Sequence, residues 1–185
     1  LSKDIMSPDL VICRHTLEHI PNPKIFLKKL LNECSDDCNF IFEVPSLERM
    51  IETQRFDAII HQHINYFSID TLEILIEKCG AQIKSYKIYK DGSCGGSIIF
   101  CFQKIKKKRK EIVKIKNFKN KYETIKTSID NFKKNMALLK SLIEISDGKL
   151  IGYGAGMMLA TFMYFLNIKQ NKIKYIIDDD KKKHK

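Results

Sequence analysis

The sequence predicts an α/β protein in which two parallel-sheet units are joined by a long helix. Two short apolar runs, DLVIC at 9–13 and FIFEVP at 40–45, flank a helical pattern opened by Pro21 and Pro23. Between residues 107 and 146 a single apolar stripe recurs at alternating spacings of four and three. KLIGYGAG at 149–156, an apolar helix and IKYIIDDD at 173–180 then repeat the order strand, turn, helix, strand.

The run at 9–13 is apolar throughout instead of alternating, which predicts a buried parallel strand. In the helix that follows, Ile25, Phe26, Leu27, Leu30 and Leu31 share one side and Lys28 and Lys29 the other. FIFEVP predicts a second buried strand closed by Pro45, and right-handed crossover makes the two strands parallel neighbours. Ligands collect at the carboxyl ends of such strands, here Arg14 to His19 and Glu43 to Ser46. Residues 46–68 read as irregular and polar. A helix over 70–78 follows, capped by Ser68 or Asp70 and stopped by Gly80. QIKSYKIYK at 82–90 and GGSIIFCFQK at 95–104 form a hairpin around DGSCGG, completing a sheet of at least four strands. In the long helix Phe118, Tyr122, Ile125, Ile129, Phe132, Met136, Leu139 and Ile143 form the stripe. It suits packing within the same polypeptide, and also pairing with a second copy as a homodimer. Gly148 ends this helix. A tight glycine turn, a helix over 157–166 and a further buried strand begin a second unit. The chain thus divides into 1–104, a connecting helix over 105–147, and an unfinished unit over 148–185.

Composition excludes several classes. With 44% apolar and 30% charged residues in a chain of 185, a disordered, collagenous or membrane-spanning protein is not expected. The opening LSKDIMSPDL has neither a basic segment nor a long apolar one, so no secretory signal is expected and a cytoplasmic location is. The net charge of +11 is uneven: residues 1–103 carry 11 basic and 14 acidic side chains, residues 104–185 carry 22 and 8. The excess lies in KIKKKRKEIVKIKNFKNK and the final KKKHK, without the interleaved aromatics of a nucleic-acid surface. It reads as a solvated helix face before a polyanion site, and no nucleic-acid partner is expected. Cys13, Cys34, Cys38, Cys79, Cys94 and Cys101 contain no Cys-x-x-Cys pair and read as reduced thiols, Cys13 and Cys101 within buried strands.

Three clusters could carry chemistry. In HQHINYFS, His61, Gln62, His63, Asn65 and Tyr66 stand together. Imidazole takes a proton near neutral pH, so either histidine is a candidate base; a structural role is as consistent with the residues. His-x-His alone is an incomplete donor set, with no His-Glu-x-x-His or cysteine partner, and no metal is expected. RHTLEH places His15, Glu18 and His19 where an α/β sheet meets its ligand, although Glu18 and His19 equally suit an ordinary first turn facing solvent. GYGAG sets Gly154 before a helix N-terminus that could receive a phosphate, or forms only a tight turn. A full G-x-G-x-x-G would need glycine where Met157 stands.

The order of these motifs resembles a known family. DLVICRHTLEHIPNP is similar to the fourth strand and following loop of class I S-adenosylmethionine-dependent methyltransferases. FIFEVPSLERMIETQRFDAIIHQHINYFSIDTLEILIEKCG with GGSIIFCFQK resembles the sugar C-methyltransferases, which act on nucleotide-linked keto-sugars. GKLIGYGAGMMLATFMYFLNI and YIIDDDKKKHK look like the start of that family's C-terminal Rossmann-like domain. The resemblance implies the C-terminal half of a Rossmann-like methyltransferase sheet, a connecting helix, and the beginning of a second domain. It implies S-adenosylmethionine as cofactor and a nucleotide-linked sugar, of the kind used in polysaccharide biosynthesis, as substrate. The family's cofactor glycine loop and its zinc-binding cysteines are not among these residues, so zinc would belong only to that N-terminal segment.

The family's motif reads approximately Tyr-x-Glu-His before an aromatic pair, with the last His as base. It aligns with Ile60, Gln62 and His63, of which His63 alone matches. The resemblance makes His63 the base, with His61 and Gln62 beside it. His15, Glu18 and His19 would border the cofactor, while Glu43, Tyr66, Gly95, Gly96, Ser97 and Gly154 would serve the substrate side. Two other readings stay open: a degenerate, non-catalytic relative that keeps sugar-nucleotide affinity, and a dinucleotide-dependent oxidoreductase using GYGAG.

Overall fold

The computed structural model describes residues 8–91, 95–105, 118–156, 158–168 and 172–183. Cys94, Met157, residues 106–117 with most of the basic run, and the last two residues lie outside them. The elements are β1 (Leu10–Arg14), α1 (Pro23–Glu33), β2 (Asn39–Pro45), α2 (Leu47–Glu52), α3 (Ile69–Lys78), β3 (Ala81–Tyr89), β4 (Ser97–Lys104), α4 (Phe118–Ile145), β5 (Leu150–Tyr153), α5 (Leu159–Leu166) and β6 (Ile173–Ile177). Short 3-10 turns stand at Leu17–His19, Phe56–Ala58 and Lys181–Lys183.

The first four strands form one sheet in the order β1-β2-β4-β3, with β1 and β2 parallel and the β3–β4 hairpin antiparallel. Proline at the first position of α1, with Asn22 accepting from the Ile25 N–H, fixes where that helix begins. Ser68 and Thr71 form a reciprocal cap on α3. Residues two apart share a face of a strand, so Phe40, Phe42 and Val44 of β2 and Ile98, Phe100 and Phe102 of β4 point together. All six are fully buried against Leu27 and Leu31 of α1 and Leu72 and Ile76 of α3. Phe102 stacks on Phe40 at 4.9 Å between ring centroids and meets Phe42 edge-on at 5.1 Å.

Two expectations need correction. β1 is not a buried strand. It lies at the sheet edge, and Ile12, in register with Ile41 on the face away from α1 and α3, is 61% exposed. β5 and β6 do pair in parallel, but they form a sheet of two strands in which Ile151, Tyr153, Tyr175 and Ile177 are exposed. An apolar strand is buried only where other elements cover it, and the run of residues alone does not reveal how many do. The stretch 46–68 is also more ordered than it reads: Ser46 caps α2, and a 3-10 turn follows.

The long helix packs within the chain. Phe132 is buried between Phe56, at 5.4 Å, and Phe165 of α5, at 5.0 Å, in a second cluster with Met50 and Ala58. Ser128 Oγ donates to the Ile51 carbonyl at 2.5 Å, and Lys121 pairs with Asp70. The stripe is therefore covered at its middle, while Tyr122 near its start is exposed. The helix ends at Ile145, ahead of Gly148. No described helix is long and apolar enough to cross a membrane.

Candidate active site

The carboxyl ends of β1 and β2 and the loop 60–66 come together, so two clusters some 45 residues apart in sequence form one site. β1 ends at Arg14, and His15 turns the chain with a left-handed φ of 45°. Such a conformation is strained for a residue with a Cβ and persists only where neighbours hold it. Here the His15 N–H donates to the Glu43 carbonyl at 2.9 Å. The His15 ring lies between two carboxylates, with Nδ1 3.5 Å from Glu18 Oε1 and Nε2 3.5 Å from Glu43 Oε1.

Glu43 is nearly buried on β2. Arg14 Nε donates to Glu43 Oε2 at 2.6 Å and Ser97 Oγ to Oε1 at 2.8 Å. Burial pushes the Glu43 carboxyl up, but the hydrogen bonds from Arg14 and Ser97 outweigh it and hold the pKa below its ordinary value. Glu18 is 1% exposed. Its Oε1 faces the two neighbouring histidines, and its Oε2 is buried without a hydrogen-bond partner among the described residues.

The 3-10 turn at Leu17–His19 is stapled to the loop. Ile64 and Asn65 N–H both donate to the Glu18 carbonyl at 3.0 Å, and Asn65 Nδ2 donates to the Ile20 carbonyl at 2.8 Å. His19 Nδ1 lies 2.7 Å from the Gln62 carbonyl. Since a carbonyl only accepts, Nδ1 carries the proton. His63 stands 5.1 Å from the His19 ring and 6.3 Å from Tyr66, centroid to centroid. Burial lowers the His63 pKa below its ordinary value, and the opposing pull of Glu18 does not offset it. A small cleft lined by Pro45, Ser46, Met50, His63, Asn65 and Tyr66 opens beside this ring.

His15, Glu18, His19, Glu43, His63, Tyr66 and Ser97 thus belong to one neighbourhood. His61 and the Gln62 side chain are exposed, and Gln62 contributes its backbone carbonyl. Gly95 sits close against the end of α2, where a Cβ would stand 2.7 Å from Thr53 Oγ1, and Gly96 lies between β3 and α2, where one would stand 2.4 Å from the Tyr89 carbonyl and 3.1 Å from Arg49 Cγ. Their small size is what lets the hairpin turn approach α2 and direct Ser97 at Glu43. Gly154 lies at the other sheet, and the Ala155 N–H after it donates to Asp178 Oδ2 at 2.6 Å. That carboxylate, also bonded by the Asp180 N–H and by Lys183, is held at a pKa of about 2. The turn's amide therefore already meets an anion of the chain's own. Arg14 and Asn65, which fix Glu43 and the loop, lie inside RHTLEH and HQHINYFS, but their partners, Glu43 and the Ile20 carbonyl, are not legible in those motifs.

Comparison with known proteins adds the following. Residues 3–86 match the family described as a methyltransferase domain, and residues 93–185 match the one described as the C-methyltransferase C-terminal domain. The chain is 32% identical over 90 residues to the C-methyltransferase NovU of Streptomyces niveus, a match covering 49% of this chain and 21% of NovU. It therefore spans about a fifth of the length of that curated relative. Among solved structures it is similar to LepI in complex with SAM, with 16% identity and a TM-score of 0.44 over 56% of this chain and 28% of that one. It is also similar to magnesium protoporphyrin IX methyltransferase from Synechocystis PCC 6803 with bound SAH, with 13% identity and a TM-score of 0.41 over 54% and 46%.

Proposed function

The chain belongs to the C-methyltransferase family through its match over residues 93–185, and we propose on that premise that it serves an S-adenosylmethionine-dependent methyl transfer to carbon, next to the ketone of a nucleotide-linked sugar, with His63 as general base. The observation that carries this reading is the state of His63. The ring lines the cleft and burial favours its neutral form, in which one ring nitrogen carries a lone pair.

A C–H next to a carbonyl is a weak acid, and its removal needs a base positioned at the carbon and already deprotonated at working pH. A neutral, half-buried imidazole meets both needs. The proton would move to His63, and the electron pair left on carbon would take up the methyl group as the methyl–sulfur bond breaks and sulfur keeps that bond's electron pair. The neighbouring Glu18 carboxylate stabilises the imidazolium that results. Tyr66, on the cleft wall, and the Glu43–Ser97 pair would hold the sugar. Gly95 and Gly96 set the turn that places Ser97.

The cofactor's residues are tested by charge. Glu18 and Glu43 make the carboxyl edge of β1 and β2 negative, which suits a sulfonium and an ammonium group, and His15, Glu18 and His19 would border them. When bound, the cofactor supplies an electrophilic methyl group. The exposed Gln62 stands where the family has a carboxylate and carries no negative charge. In this reading the charge beside the base comes from Glu18 instead.

The test compares the wild-type enzyme with its His63→Ala variant. Calorimetry should give equal S-adenosylmethionine affinity for both, while exchange of the proton next to the ketone with solvent deuterium, and methyl transfer, are lost in the variant. Full turnover by His63→Ala would remove His63 from the role of base.

A further inference from the structure

Read from the sequence, His61 and His63 are the histidine pair, and they lack a third ligand. The fold pairs His63 with His19 instead, and places a buried carboxylate between them. Glu18, His19 and His63 each offer one ligand atom within 4.8 Å of the other two. His19 Nε2 stands 3.8 Å from Glu18 Oε1.

The hydrogen bonds around the cluster set its donor character. His19 gives its Nδ1 proton to the Gln62 carbonyl. With Nδ1 spent on that oxygen, the neutral His19 ring presents a lone pair at Nε2, and a neutral His63 ring likewise has one unprotonated nitrogen. A backbone carbonyl behind the ring is also the arrangement that orients histidines toward a bound metal. Three electron-pair donors face one another, and Glu18 Oε2 is buried without a partner among the described residues. A cation held by Glu18 would compensate this buried carboxylate. Two imidazoles and one carboxylate form a donor set for borderline divalent ions such as zinc and cobalt, whereas magnesium and calcium prefer oxygen alone.

We propose that Glu18, His19 and His63 form a binding site for one divalent transition-metal ion of the zinc class, with a fourth position open toward the cleft. Ligands around a tetrahedral ion stand about 3.4 Å apart for bonds of ~2.1 Å, so the three side chains must draw together by about an ångström. Both histidines are partly exposed. The ion would occupy the lone pair that the His63 base reading requires, so occupancy opposes proton abstraction. Metal binding is measured without substrate, and its outcome is therefore separate from that of the base reading.

The experiment titrates the full chain with Co²⁺, followed by visible absorption, and with Zn²⁺, followed by calorimetry. One ion per chain is expected, with the absorption of a four-coordinate site. His19→Ala and His63→Ala should each weaken Zn²⁺ binding at least about tenfold, while His61→Ala leaves it unchanged. Equal affinity in all three variants would overturn the site, as would a thiolate charge-transfer band placing the ion on the cysteines. Should a variant fail to fold, X-ray absorption of the zinc-loaded wild type decides. Imidazole nitrogen with carboxylate oxygen in the first shell supports the proposal, and sulfur in that shell overturns it.

Discussion

The two sheets of this chain begin from the same signal, an apolar strand leading through a turn into a helix, and end with different physical character. In the first sheet, α1 and α3 cover one face, and Phe40, Phe42, Phe100 and Phe102 vanish from solvent. In the second, β5 and β6 pair, among the described residues, only with each other, and Tyr153 remains 72% exposed. The contrast extends to the turns. After β1 the chain exposes histidines beside buried carboxylates. After β5 the amide of Ala155 is bonded to Asp178. A strand–turn–helix signal therefore marks a place where a site can form, and the surrounding cover and charge decide whether chemistry is available there. On this comparison the oxidoreductase reading of GYGAG loses its phosphate-facing amide, and the first sheet keeps the reactive groups.

The largest expected effect breaks the comparison at its chemical end. His63→Ala should lower methyl transfer by about 10²–10⁴-fold, measured as single-turnover methyl incorporation, whereas Asp178→Ala in the second sheet should change it less than twofold. An equal loss in both would put the second turn in the reaction. Next is packing. Phe42→Ala removes a ring from a fully buried cluster and should cost about 3–5 kcal/mol in urea unfolding, while Ile151→Ala, at an exposed position, should stay within about 0.5 kcal/mol. A large loss at Ile151 would mean that the second sheet is covered in solution.

Ser97→Ala is expected to have an intermediate effect. It removes a hydrogen bond from nearly buried Glu43 and should destabilise by about 1–3 kcal/mol. Its second readout is the acid limb of unfolding, which should move up in pH as Glu43 loses a group that favours its charged form. An unchanged acid limb would show that Arg14 alone fixes that carboxylate.

The smallest effect is in the pH dependence. The His63 pKa lies below its ordinary value of 6.5, so below that pH the unfolded chain binds the proton more readily than the folded one. The stability contributed by this group is present above about 6.5 and is lost as pH falls through the lower folded value. Glu43 acts with the same sign in a more acidic window, present above 4.5 and lost as pH falls through its own lowered value. Urea midpoints between pH 7 and 5 should fall, and His63→Gln should flatten that fall. A midpoint that rises on acidification would mean that His63 is better charged than neutral in the fold.

Much of this molecule was legible in its sequence. The period of the apolar residues and the capping residues located every described helix but α2, and the strand-like runs and the hairpin turn located the six described strands. Pro23 and Ser68 mark their helix starts because proline and hydroxyl caps act locally. The site was legible in its residue types, since RHTLEH and HQHINYFS are dense in groups that bind or transfer protons.

What the sequence left open is everything that depends on partners distant along the chain. The burial of β1 and of β5 and β6 turned on how many elements cover each, and their apolar runs hold no count of neighbours. That His63 meets His19 and Glu18 across more than forty residues, and that His61 does not, follows from the staple of Asn65 and Ile64 on the 3-10 turn. The proton position on His19 was decided by the backbone carbonyl of Gln62. Local propensity is encoded residue by residue, whereas burial, charge state and ligand geometry are set by groups that only the tertiary structure brings within reach.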